Sequence, residues 1–414
     1  MATISAAAEK AYAPFKVGPL SLRNRFIRSG ANEAAGTPDG LPSKYHVAVH
    51  REFAAGGLAM STVSYTAVSP AARMFTNQLT FRPDGVKHWH ALTDAIHREG
   101  AAASVQLTHG GSLTFLPQPG GYALPSASNG FNAAGLLTGF YLTRAMTHCE
   151  IESVAHEFAQ AAVAARDAGF DAVEIHMGHG YLLSQFLSPS SNRRRDEYGG
   201  SVEKRSRFPA LVVERVRDAV GDKLAILCKL NVTDGFRGGV TAKDAAITAK
   251  ILEQAGANML VLSGGRTPEN TPLIFGSRYP THEFIEIEQR FLGRMAYRIM
   301  SLKNPKGPFK ELYFRDHAMA VRSATQMPLA LVGGIRSVAN LAQVMDDGFD
   351  CIALARILIH DPNILLKLRS GEVTASGCIS CNRCSVPMFH NLPTRCVLNK
   401  ETLDPAMTQI PAAA

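Results

Sequence analysis

The chain has 414 residues, 46% hydrophobic and 19% charged, the make-up of a core-forming globular protein and not of a disordered or fibrous one. Its net charge of +8 (43 basic against 35 acidic residues) is spread along the chain, and the densest run, Arg193, Arg194 and Arg195, is offset at once by Asp196 and Glu197. With one Trp and no basic stripe interleaved with aromatics, nucleic-acid binding is excluded as a main function, and the excess suits phosphorylated cofactors or anionic substrates.

No apolar run approaches the roughly 20 residues that span a bilayer, and the first residues lack a basic segment followed by an apolar one. A cytoplasmic protein with no integral membrane span is therefore expected. The length fits two or three average domains, or one α/β barrel of about 250 residues with additions.

Taken in chain order, buried strands are expected at 25–31, 58–67, 102–108, 172–176, 225–231, 259–263, 329–332 and 351–355. Helices are expected between them at 44–55, 86–99, 150–168, 202–220, 242–255, 317–325 and 338–346. Gly56, Gly100, Gly169, Gly221, Gly256 and Gly348 stand where helices commonly end. Eight such alternations predict a (β/α)8 TIM barrel, an α/β fold whose functional groups gather at the C-terminal strand ends. A doubly wound sheet would want a Gly-x-Gly-x-x-Gly turn after its first strand, and none is there. Long insertions follow the third strand (110–144) and the sixth (264–312), the latter with a helix expected at 282–302. The expected division is an N-terminal tail, 1–13, a barrel, 14–372, and a Cys-rich C-terminal extension, 373–414.

The most informative stretch is Glu174-Ile-His176-Met-Gly-His179-Gly-Tyr181, where an apolar strand hands over to a glycine-containing turn. Two imidazoles can hold the oxygen of an electron-poor carbonyl while a phenol gives up a proton. The same residues can also be polar groups at an ordinary strand-to-helix turn. Gly333 and Gly334 close a strand and precede a helix start, where bare amides can approach a phosphate. Arg356, just past the eighth strand, offers a fork to phosphate oxygens.

Four of seven cysteines lie near the end, as Cys378-x2-Cys381-x2-Cys384-x11-Cys396, while Cys149, Cys228 and Cys351 read as buried thiols. The clustered four can ligate a [4Fe–4S] cluster or zinc, or stand unligated.

Together these motifs resemble the Old Yellow Enzyme family of FMN-dependent ene-reductases. The similarity is to the branch with the flavin domains of 2,4-dienoyl-CoA reductase and trimethylamine dehydrogenase. It runs from about Pro14 to Asn399 and is carried in order by several segments. These are Pro14-Phe15-Lys16-Val17-Gly18, Leu22-Arg23-Asn24-Arg25, Val68-Ser69-Pro70, Gln106-Leu107-Thr108-His109-Gly110-Gly111 and the His176 to Tyr181 stretch. Ser184-Gln185-Phe186-Leu187-Ser188-Pro189, Asn192-Arg193-Arg194, Glu197-Tyr198-Gly199-Gly200-Ser201, Gly333-Gly334-Ile335 and Ala355-Arg356 follow.

The resemblance implies FMN with NAD(P)H as reductant, and a small-molecule enone or enoyl substrate. It places Gln106 on the pyrimidine edge of the flavin and the fifth-strand cation, here Lys229 where many relatives have Arg, near N1. Ala31 or Asn32 would stand beside N5, where relatives often carry Thr or Cys. His176 and His179 would polarise the substrate carbonyl, hydride would come from flavin N5, and Tyr181 would protonate the α-carbon. The Cys segment looks like the iron–sulfur segment of the same branch. Those relatives continue into a second flavin and nucleotide-binding region, whereas this chain stops at Ala414. A cluster here would lack that internal electron partner, and would be either structural or served by an external electron-transfer protein. Two other functions stay open: an oxidative dehydrogenase or demethylase passing electrons through the cluster, and a non-catalytic flavin-binding barrel. NADH or NADPH preference and oligomeric state are not fixed by the sequence.

Overall fold

The computed structural model describes residues 5–399, except 82–84, 115, 117–122, 133–134, 136–139, 290, 303, 306 and 391. Eight parallel strands close into a barrel. They are β1 (Phe26–Arg28), β2 (Met60–Ala67), β3 (Ala102–Thr108), β4 (Ala172–Met177), β5 (Ala225–Asn231), β6 (Met259–Ser263), β7 (Leu329–Val332) and β8 (Cys351–Leu354). Helices α1 (Lys44–Ala55), α2 (Val86–Arg98), α3 (His148–Asp167), α4 (Val202–Val220), α5 (Ala242–Gln254), α6 (Arg315–Arg322) and α7 (Val338–Asp346) run between successive strands, and α8 (Ile364–Ser370) follows the last. This is the (β/α)8 barrel that the alternation predicts. Capping boxes start α3 (Thr147 with Glu150), α5 (Thr241 with Asp244) and α7 (Ser337 with Asn340), each satisfying amides that a helix start leaves open.

Strand alternation sorts the side chains into two layers. Ile226, Cys228 and Leu230 of β5, and Val173, Ile175 and Met177 of β4, join the large cluster that packs under the helices. Ala172, Ala225, Leu227, Met259, Val261 and Ala353 fill the barrel interior, and the antiparallel hairpin Phe15–Val17 with Leu20–Leu22 packs against them. Because Ala172, Ala225 and Met259 are first residues of their strands, that hairpin lies under the N-terminal end. The same inward parity, continued to the other end, brings up Gln106, Glu174, His176 and Lys229, all buried. Gln106 pairs in register with Glu174, and Lys229 with His176. Four polar side chains thus cap an apolar interior at the C-terminal strand ends.

Two elements differ from the sequence expectation. β1 stops at Arg28 because the chain leaves the sheet beside Gln106: a Cβ on Gly30 would lie 2.7 Å from Gln106 Nε2. The helix expected at 282–302 is two helices, Thr281–Ile287 and Phe291–Leu302, with Glu288 extended between them. Tyr297 of the second stacks on Phe284 of the first, centroids 5.1 Å apart, so the pair folds back on itself. No helix among the described residues is long and apolar enough to cross a membrane.

Candidate active site

At the end of β4, the backbone turns sharply so that three rings meet. His179 adopts a left-handed conformation (φ 61°) and Gly180 follows at φ 93°. A Cβ on Gly180 would stand 2.6 Å from the Thr267 carbonyl, so only glycine fits. The ring centroids of His176 and His179 are 5.0 Å apart, and those of His176 and Tyr181 4.7 Å apart. His179 and Tyr181 therefore reach the site through this turn. His176 Nδ1 accepts from the Gly178 amide (3.2 Å), which assigns the ring proton to Nε2 and makes that nitrogen a donor. His179 Nε2 lies 2.8 Å from Ser263 Oγ, and its amide donates to Asn231 Oδ1 (3.2 Å).

Burial sets the protonation of this group. It drives His176 well below the ordinary imidazole range, with the charges of His179 and Lys229 adding to the effect. Burial and Lys229 hold His179 at about 3. Burial raises the Tyr181 phenol, against a lowering from its hydrogen bond to the Tyr65 hydroxyl, 3.2 Å away. At neutral pH the site thus presents two uncharged imidazoles and a protonated phenol.

A second group lies beside it. Lys229 Nζ sits 3.2 Å from Glu174 Oε1 and donates to Ser29 Oγ (2.9 Å) and the Gly30 carbonyl (3.2 Å). Burial pulls the ammonium down while Glu174 pulls it up, and burial prevails. Gln106 Nε2 donates to Glu174 Oε1, but Gln106 Oε1 is buried without a partner. A buried amide oxygen left unbonded costs about 1–3 kcal/mol.

These groups line one cavity of about 1730 Å³, with Ala31, Asn32, Gly333, Gly334, Arg356, Cys378 and Cys384 also in its wall. The space exceeds the roughly 300–1,000 Å³ of a site for one small ligand. Gly333 and Gly334 have φ of 108° and 77°, and Cβ atoms there would meet Phe314 at 2.8 Å and the Leu312 amide at 2.7 Å. Arg356 donates through Nη1 to Asn382 Oδ1 (2.6 Å), which ties it to the Cys-rich segment.

The four clustered thiols are mutual neighbours. Burial pushes Cys384 up to about 12, with Arg356 opposing and Cys378, Cys381 and Cys396 adding. Among the described residues no three of these sulfurs lie within 4.8 Å of one another. Cys396 Sγ is 3.3 Å from His360 Nδ1.

A buried network that the sequence motifs do not mark lies under this wall. Glu33 Oε1 is 2.5 Å from Arg28 Nη2 and 3.0 Å from His50 Nε2, and Glu33 Oε2 is 3.6 Å from His46 Nε2. His50 Nδ1 lies 2.8 Å from Ser61 Oγ. Thr394, from the Cys-rich segment, donates its amide to the Glu33 carbonyl and its hydroxyl to the Asn32 carbonyl. Burial alone would raise the Glu33 carboxyl, but Arg28, then His50 and His46, outweigh it and hold it at about 2. A helical His46-x3-His50 pair facing one side was the available signal. Tyr65, Ser263 and Arg266 were missed as well, since only tertiary structure brings them to β4.

The buried histidines carry a pH consequence. Burial lowers His46 and His109 from 6.5 to about 4 and His179 to about 3. Below pH 6.5 the unfolded chain takes up protons that the folded one refuses, so stability falls as pH drops from 6.5 towards 4. Each such histidine contributes a slope of up to about 1.36 kcal/mol per pH unit. The urea midpoint is expected to be clearly lower at pH 5 than at pH 7; equal midpoints would contradict this.

A family model described as the NADH:flavin oxidoreductase / NADH oxidase family matches residues 10–272. A 4,4'-dithiodibutanoate disulfide reductase from Rhodococcus erythropolis is 37% identical over 389 residues, 94% of this chain and 94% of that one. The chain belongs to the NADH:flavin oxidoreductase / NADH oxidase family. As a member it is an NAD(P)H:flavin oxidoreductase. An NADH oxidase from Thermoanaerobacter brockii is 30% identical over 395 residues, 93% of this chain but 55% of that one. An Old Yellow Enzyme homologue from Zymomonas mobilis superposes with a TM-score of 0.66 at 21% identity, over 89% of this chain and 95% of that one, a likeness of fold.

Proposed function

We propose that the chain binds FMN in this cavity and uses NAD(P)H to reduce the activated C=C bond of an α,β-unsaturated carbonyl compound. The observation that carries the reading is the meeting of neutral His176, neutral His179 and protonated Tyr181 at one end of the cavity. The wall fits the flavin. The orphaned Gln106 Oε1 can take an N–H of its pyrimidine edge, and Lys229 supplies a buried cation for an electron-rich ring. Gly333, Gly334 and Arg356 would hold its phosphate, and Ala31 or Asn32 would stand beside its N5.

When bound, FMN supplies the two-electron transfer that no side chain here can perform. The chain's own residues do the rest. His176 Nε2 donates to the carbonyl oxygen of the substrate and His179 adds a second contact, stabilising negative charge as it develops there. Tyr181 then gives its proton to the α-carbon.

A second reading is favoured by the Rhodococcus relative: reduction of a disulfide, with Tyr181 protonating a departing thiolate. FMN-loaded protein given NADH should convert 2-cyclohexenone to cyclohexanone. Consumption of 4,4'-dithiodibutanoate alone, with the enone untouched, would replace the first reading by the second.

Cys378, Cys381, Cys384 and Cys396 would hold a [4Fe–4S] cluster. The Cys-x2-Cys-x2-Cys spacing and the likeness of this segment to the iron–sulfur segment of the resembling branch support iron–sulfur over zinc. Anaerobic protein should contain about four irons and four sulfides per chain, lost in Cys384→Ala; one zinc per chain in their place would contradict this. An external electron-transfer protein is the partner such a cluster would serve.

A further inference from the structure

We propose that Arg266 anchors a carboxylate on the substrate, so that the site favours anionic over neutral compounds. The proposal rests on the reading that substrate reacts at His176, His179 and Tyr181.

Arg266 follows β6 by three positions and is bound into the same turn as the reactive groups. Its backbone bridges to His179, the Thr267 amide donates to the His179 carbonyl (3.2 Å), and the Asn270 amide donates to the Arg266 carbonyl (2.7 Å). Its stem passes Gly180, where a Cβ would stand 3.3 Å from Arg266 Cγ. The side chain is 7% exposed and forms part of the cavity wall with His179 and Tyr181. It is therefore held in place before any ligand arrives.

The guanidinium is only partly engaged. Nη1 donates to Ser190 Oγ (3.2 Å) and Ser191 Oγ (2.9 Å). Nε stands 3.3 Å from Glu269 Oε2 as an ion pair without hydrogen-bond geometry, and Glu269 is itself 38% exposed. Nη2 has no partner among the described residues. Two neutral hydroxyls and one half-solvated carboxylate leave a buried cation with donor capacity on the cavity side of the molecule. A planar fork with free donors matches a carboxylate, and hydrogen bonds to charged groups are worth about 1.5–3 kcal/mol. Arg193 lines the same cavity and adds to the positive field. The phosphate cradle proposed for the flavin is built from β7 and β8, whereas Arg266 follows β6 and is tied to the turn after β4.

The test is calorimetric titration of FMN-loaded protein, without nicotinamide nucleotide, using 4-oxo-2-pentenoate and its methyl ester. The wild type should bind the carboxylate about tenfold or more tightly than the ester, the ratio expected for one charge-assisted contact. Arg266→Gln should bring the ratio close to one, and Arg266→Lys should keep part of it because the charge stays and the fork is lost. A wild type that does not discriminate overturns the proposal, whatever the variants do. So does an Arg266→Gln protein, folded by circular dichroism, that discriminates as well as wild type. Protein that takes up no flavin yet still prefers the carboxylate would sink the FMN reading and leave the Arg266 assignment standing.

Discussion

Tyr181→Phe should lower the rate of enone reduction by about 100- to 1,000-fold, the scale of losing a positioned general acid. The ring itself packs 4.7 Å from His176 and 5.5 Å from Tyr65, so phenylalanine keeps the shape and removes only the hydroxyl. Burial raises the phenol, so the proton is present throughout the neutral range. The loss should fall on kcat in the half-reaction that consumes the enone, since carbonyl binding belongs to the two histidines. Stopped-flow measurement of the two half-reactions separates these effects. A change under threefold would remove Tyr181 from the proton path and point to water or to Tyr65.

Glu33→Ala should destabilise the fold by about 3–5 kcal/mol, the range for breaking a buried ion pair on one side. Glu33 is the common partner of Arg28, His46 and His50, all three nearly sealed from solvent. Its removal leaves the Arg28 charge buried against Thr62 and Ser29 carbonyls alone. Replacing both partners, Arg28→Met with Glu33→Ala, should recover part of the loss, because no uncompensated charge then remains. With its carboxyl held at about 2 instead of 4.5, the contribution of Glu33 is present above pH 4.5 and is lost as pH falls towards 2. Urea unfolding of the three variants at pH 7 checks the order. A Glu33→Ala protein as stable as wild type would show that the network carries no stability.

Most of the barrel was legible because its signals are local. β3, β5, β6 and β7 and helices α1, α4 and α7 have the expected bounds, since apolar strands and helices that end near glycine read within a few residues. The inward parity that carries Lys229 and Gln106 to the cavity is likewise a period-two property of single strands. The misses involve pairings between distant segments. Residues 32–33 meet Thr394 across more than 360 positions, Tyr65 meets Tyr181, and His179 meets Ser263. No periodicity encodes such pairs. The helical hairpin after β6 is a related case: Tyr297 stacks on Phe284 across its break, a contact invisible until both helices are placed.

A reducible flavin in this cavity would be seen in the absorption spectrum of anaerobically purified protein, before and after NADH. The expected result is a two-banded flavin spectrum that bleaches on addition of NADH, over a broad shoulder from the Cys378–Cys396 cluster. A colourless protein that stays colourless after FMN is supplied would contradict it.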